Sequence, residues 1–224
     1  MDVNAKTTEE SEKPKSICHE LMGGGNPCPF EKFDVDEQHC IFHSNLVDKK
    51  RSTFEKELKL YIEKIKSDPK IEAFDFTRFA FPAFSFHGTT FEKPVIFLQS
   101  RFVENADFSG VVFKNMANFQ GCELLKGGSF SRTKFMKMAN FIGTNIARCW
   151  FDEAEFLDVA VFKSAKFQDF VHFLGAKFNN AALFSEARFK GNANFGEATF
   201  KGHVHFDDVE FDDITVFLYL YCPT

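Results

Sequence analysis

A chain of 224 residues that is 44% hydrophobic and 26% charged, with a net charge of −5, has the make-up of a folded protein, which excludes a disordered chain, a collagen and a membrane-spanning bundle. With a pI near 5.8 it also lacks the basic excess of a general nucleic-acid binder. One aromatic dominates, 33 Phe against 1 Trp and 3 Tyr, and so strong a bias points to a repeat.

Residues 1–16 are polar, lack apolar periodicity and predict a disordered tail. Acids stand where a signal peptide would carry its apolar region, and no apolar run approaches the ~18 residues of a transmembrane helix, so the expected location is cytoplasmic. Residues 17–45 carry Cys18, Cys28, Cys40 and His43 among Gly23, Gly24, Gly25, Pro27 and Pro29, a segment too short for a core of its own. The spacing Cys18-x9-Cys28-x11-Cys40-x2-His43 supplies the four soft ligands of a closed, tetrahedral, structural Zn²⁺ site, with His19 and His39 as substitute ligands. The other reading is three free thiols of a reducing compartment beside a histidine.

Residues 46–75 form a helical cap and linker. Ser52 and Glu55 predict a capping box, and Phe54, Leu58, Tyr61, Ile62 and Ile65 line one face of a helix over 53–67 that Pro69 ends.

From 76 to 217 the Phe positions become regular. In the series from Phe102 through Phe108, Phe113, Phe119 and Leu124 to Phe217, steps of 5 and 6 alternate, with one slip around Ile146 to Phe156. A small side chain stands two residues before each of the 22 positions, Ala in eleven of them. A helix would place residues five apart roughly 140° apart and fails this pattern. In an extended segment the small residue and its Phe share one face, so each small-x-Phe unit reads as a very short strand pointing inward, followed by a corner. Four sides consume 22 residues. Phe102, Leu124, Ile146, Phe167, Phe189 and Phe211 then stack in one column, and Phe86, Phe91 and Phe97 extend three others toward the N-terminus.

The units Ala106-Asp107-Phe108, Ala117-Asn118-Phe119, Ala139-Asn140-Phe141 and Ala193-Asn194-Phe195 resemble the pentapeptide-repeat proteins, over nearly two thirds of the chain. The resemblance implies an all-β solenoid, a right-handed quadrilateral parallel β-helix of about six coils, here with a small N-terminal zinc-like module and one capping α-helix. The chain departs from the family's pattern by using Phe almost throughout and by inserting a residue in alternate units. The cysteine spacing resembles, one residue longer, the C-x9-C-x10-C-x2-H of the plant WRC zinc motif. No DNA-binding role comes with it, since Lys32 alone faces five acids between Cys18 and His43.

Helix 53–67 is expected to cover the N-terminal end of the solenoid, and residues 218–224 to cap the C-terminal end or form a dimer contact. End-to-end homodimerisation, common in similar proteins, would bury the apolar end; a chain shortened from a longer gene is the other reading. Arg148, Trp150, Phe170 and His172 fall on two successive coils and predict an outward patch able to bind a protein partner, with the guanidinium over a ring. Cys122 and Cys149 take the small inward position and read as inert buried thiols. No P-loop, dinucleotide fingerprint, nucleophile elbow or HExxH motif is present, and no catalytic residue or organic cofactor is assigned.

The expected function is a non-enzymatic, rigid protein–protein interaction scaffold, without direct nucleic-acid or membrane contact. The resemblance also implies an alternative, a DNA mimic that inhibits or protects a gyrase-type topoisomerase. Against it, residues 71–217 hold 18 acids and 15 bases, and only the last coil, with Asp207, Asp208, Glu210, Asp212 and Asp213, is acidic.

Overall fold

The computed structural model describes residues 18, 20–22, 25–30, 38–44 and 51–218. From Phe74 onward the chain makes two-residue strands separated by corners, and every pairing between them is parallel. Successive strands fall on four sides in turn. Side one begins at Phe74–Asp75, side two at Ala80–Phe81, side three at Phe84–Ser85 and side four at Thr90–Phe91. Sides one to three hold seven strands each and side four holds six, which makes a parallel solenoid of about six coils. The tail 1–16 and the end segment 219–224 lie outside the described residues.

Two kinds of corner explain the alternating steps. After Phe119, Gln120-Gly121 closes a tight turn in which the Cys122 amide donates to the Phe119 carbonyl, and the second turn residue is left-handed, at φ 66° for Gly121. The same position is left-handed in Arg132, Glu153, Ser164 and Glu186, which gives the five-residue step. Three-residue corners give the six-residue step, and among those described only Gly127, at φ 98°, has a positive φ. The slip is a lost residue at one of them: three residues separate Leu124 from Gly128, but only Ala147 and Arg148 separate Ile146 from Cys149. Registers of 22 on one side of that corner (Leu124 with Ile146) become 21 across it (Ile146 with Phe167).

The core is a lattice of rings. Within a column Phe stacks on Phe nearly parallel, as in Phe119 on Phe141 at 4.9 Å and 1°, and Phe178 on Phe200 at 4.6 Å and 4°. Columns of opposite sides meet edge to face, as in Phe119 against Phe130 at 5.3 Å and 88°. Both arrangements suit the ring quadrupole, at ~0.5–1.5 kcal/mol per pair beyond the area buried. Two backbones 4.7–4.9 Å apart leave no room for a second large side chain per unit, so Ala106, Ala117 and Ala139 fill the remaining inward position.

The N-terminal coil breaks that rule. Phe74, Phe79 and Phe84 stand two residues before Phe76, Phe81 and Phe86, where later coils carry small side chains. Three rings fit there because no coil lies beneath them, and they meet the cap. Helix α1 (Arg51–Ser67) buries Phe54, Leu58 and Ile65. Phe54 packs 5.6 Å from Phe81, Tyr61 lies 6.0 Å from Phe76, and the Tyr61 hydroxyl donates to the Asp75 carbonyl. At the helix's C-terminal end the Lys93 ammonium donates to the carbonyls of Ile65, Asp68 and Ile71 at 2.6–2.9 Å. Ser52 is inside this helix and not its N-cap, and Glu55 pairs with Arg51 at 2.7 Å, a correction to the expected capping box.

Candidate metal centre and candidate partner surface

Cys18 and Cys28 lie on two arms of a small antiparallel hairpin. The Cys18 amide donates to the Phe30 carbonyl, the Cys28 amide to the Glu20 carbonyl, and Leu21 bridges Pro27. Cys40 and His43 are brought together by the intervening turn, in which the amides of His43 and Ser44 both donate to the Cys40 carbonyl. All four side chains are buried, with their ligand atoms within 4.8 Å of one another.

Three edges of the cluster are set: Cys28 Sγ to Cys40 Sγ is 3.8 Å, Cys18 Sγ to His43 Nδ1 is 3.5 Å and Cys40 Sγ to His43 Nδ1 is 3.2 Å. A tetrahedral Zn²⁺ with bonds of ~2.3 Å to sulfur and ~2.0 Å to nitrogen has edges of about 3.8 and 3.5 Å, so the donor set fits that ion. The sulfurs are free thiols. His43 Nε2 lies 3.0 Å from the Thr77 carbonyl, which can only accept, so Nε2 carries the proton and Nδ1 turns its lone pair to the sulfurs. A hydrogen bond from Cys28 holds the Cys40 thiol well below the usual thiol range, with His43 assisting against burial. The Cys28 thiol is raised by that same bond and by burial, and desolvation raises Cys18. His19 lies outside the described residues, and His39 instead faces Glu20 at 3.3 Å.

This cluster is bolted to the first coil. The Ala80 amide donates to the Phe42 carbonyl at 2.7 Å, where the equivalent Arg101 amide uses Phe79 of the coil beneath. Phe42 also stacks on Phe79 at 4.6 Å and 2°, with the spacing of a column. Between Cys40 and His43, one residue therefore supplies a side of the missing coil, a placement that sequence reasoning did not find.

The candidate surface lies on side three. Trp150 and His172 are in register on adjacent strands, Trp150 meets Phe170 edge-on at 5.0 Å, and Phe170 lies 5.2 Å from His172. Arg148 departs from expectation. The short corner turns it toward the preceding coil, where its Nε donates to the Lys126 carbonyl at 3.3 Å, so the geometry sets the guanidinium on backbone. Leu174, 40% exposed, extends the group and was missed; its signal was an apolar residue at a turn position that holds Ser109, Ser131, Asp152 and Gly196 in neighbouring coils. Cys122 and Cys149 are buried, and desolvation raises both thiols. His205 pairs with Leu183 on side one, away from His172.

A family model described as pentapeptide repeats, in nine copies, matches residues 74–123 and 162–210. The two matched stretches flank the shortened corner. Among solved structures, the chain is similar to HetL, a pentapeptide repeat protein involved in heterocyst differentiation regulation from the cyanobacterium Nostoc, at 15% identity over 61% of this chain and 84% of that one, with a TM-score of 0.23. No curated protein matches it.

Proposed function

Because the coils of this chain belong to the pentapeptide-repeat family, we propose that it is a non-enzymatic scaffold that binds a protein partner through side three, its N-terminal end closed by a zinc-held module. The observation that carries the reading is the outward group of Trp150, Phe170 and His172 on a rigid wall of paired strands. Elsewhere the walls are laced with ion pairs such as Arg101 with Glu123 and Arg188 with Glu210. Large rings held rigidly lose little entropy on binding, which makes them anchors. DNA mimicry gains no support, since those same pairs neutralise carboxylates along the coils.

Zinc binding rests on the tetrahedral edges and on His43 being oriented by Thr77. The ion's contribution is structural: it would tie the hairpin to the Cys40 turn and so hold Phe42 against the first coil. Association through the C-terminal end is supported by Phe211, Ile214, Phe217 and Leu218, all exposed on the last coil. A cytoplasmic setting is supported by the free thiols. Among the described residues no helix is long and apolar enough to cross a membrane.

Cross-linking in cells, with wild type and Trp150→Ala compared, tests the scaffold reading. Partners lost from the variant at unchanged melting temperature are expected; an identical partner set in both would overturn it. Native mass spectrometry tests the metal and the assembly together: one Zn²⁺ per chain is expected, absent in Cys40→Ser, with dimers dispersed by Phe217→Asp. Metal-free wild type would refute the zinc assignment.

A further inference from the structure

The ring group on side three stands among carboxylates that form no salt bridge. Several other carboxylates of the solenoid are paired across coils, as in Arg132 with Glu153 and Lys134 and Lys177 with Glu155. Among the described residues, Asp152, Asp169 and Glu197 form no salt bridge, and Arg148 donates its Nε to the Lys126 carbonyl. Asp169 directly precedes Phe170, whose amide it accepts, and Glu197 follows Gly196 on the next coil.

Asp152 is the most telling of the three. It lies two residues beyond Trp150 and one coil from Leu174, whose amide donates to its Oδ1 at 3.3 Å. Its carboxyl is half-buried, and desolvation raises its pKa, with His172 opposing. A partly desolvated carboxylate is stabilised by a cation, and the face of an indole stabilises the same cation. At the next turn Gly196 carries no side chain, and a Cβ there would stand 3.0 Å from Asn194 Oδ1 and 3.3 Å from Leu174 Cδ1, so Leu174 packs over that turn. The result is an apolar ridge of Trp150, Phe170 and Leu174 flanked by acids that form no salt bridge.

We propose that side three, from Trp150 to Gly196, docks a partner segment whose apolar anchors alternate with Arg or Lys, one cation seating between Asp152 and the Trp150 ring. The inference rests on the scaffold reading above and adds the partner's chemistry to it. Apolar side chains meet the ridge, and basic side chains pair with Asp152, Asp169 and Glu197, so charge selects the partner and the rings hold it.

Trp150 is the only Trp in the chain, and its emission reports this surface directly. Three acetylated hexapeptides titrated into the full-length protein make the test: alternating leucine and arginine, alternating leucine and glutamate, and alternating serine and arginine. The leucine–arginine peptide is expected to shift Trp150 emission and to half-saturate at a concentration at least tenfold lower than either of the others. Asp152→Asn keeps an acceptor for the Leu174 amide, and it is expected to weaken that binding about tenfold at unchanged melting temperature; Asp158→Asn, on another corner, is expected to leave it unchanged. Equal binding of the glutamate peptide, or indifference to Asp152→Asn, would overturn the basic-partner inference while leaving the ring group a docking surface. Silence of Trp150 toward all three peptides would overturn both.

Discussion

Gly127 shows how one deleted residue constrains its neighbours. Its backbone is at φ +98°, and a Cβ added there would clash with the carbonyl oxygen of Arg148, in the corner Ala147-Arg148 that is one residue short. Gly143 has a similar φ of +62° with open space around it. Gly143→Ala should therefore cost only the left-handed conformation, about 1–2 kcal/mol. Gly127→Ala adds a backbone clash and should cost clearly more; urea unfolding of the two variants checks the difference. The slip was legible in the sequence to within ten residues, since a period of 22 either holds or fails. Where Arg148 would point was not, because that depends on the Lys126 carbonyl of the coil before, and no spacing rule reports it.

At the scale of elements, helix α1 carries an apolar stripe that the 3.6-residue period made plain, and the structure buries it on the first coil. How it is held there was not legible. Lys93 lies in the solenoid, yet its ammonium donates to three carbonyls at the helix end. Lys93→Met keeps the aliphatic stem and removes those charge-assisted bonds, which should cost ~1.5–3 kcal/mol. Amide exchange should rise through the last turn of the helix before any rise in the coils; uniform exchange would show that the helix does not depend on this clamp. The end of the ring columns did have a signal. Phe74, Phe79 and Phe84 occupy positions that are small in later coils, and a large residue fits there only where the stack stops. The docking of Phe42 onto Phe79 had no such signal, since Phe42 belongs to no period.

For the whole molecule, stability is a sum along one axis. Phe162 is fully buried between Phe141 and Phe184, each at 4.9 Å, whereas Phe211 on the last coil is 37% exposed. Phe162→Ala should destabilise by about 3–5 kcal/mol and Phe211→Ala by much less, both read from denaturant midpoints. Equal costs would contradict an end that is looser than the middle. The ladders of charge set the response to acid. Hydrogen bonds from Arg132, Lys134 and Ser164 hold Glu153, Glu155 and Glu186 below the ordinary carboxylate range. Their contribution is present above that range and lost as pH falls through the lowered values, so melting temperature should drop below about pH 4. The drop should be modest, because these pairs are solvent-exposed. The four-sided architecture was readable from residue periods alone; the face that meets a partner was only half readable, since Trp150 and Phe170 stand out by type whereas Leu174 stands out only by comparison between coils.

The graded burial from a clamped first coil to an exposed last one gives the solenoid a mechanical polarity. Force applied between its ends should peel the chain from the C-terminal coil, one circuit at a time, while the ring-packed cap at the other end holds longest. Each circuit of about 22 residues would release roughly 70–80 Å of contour length. A force-extension trace should therefore be a regular staircase, with one step shorter by about 3.5 Å, the length of a single residue, where the chain passes Arg148.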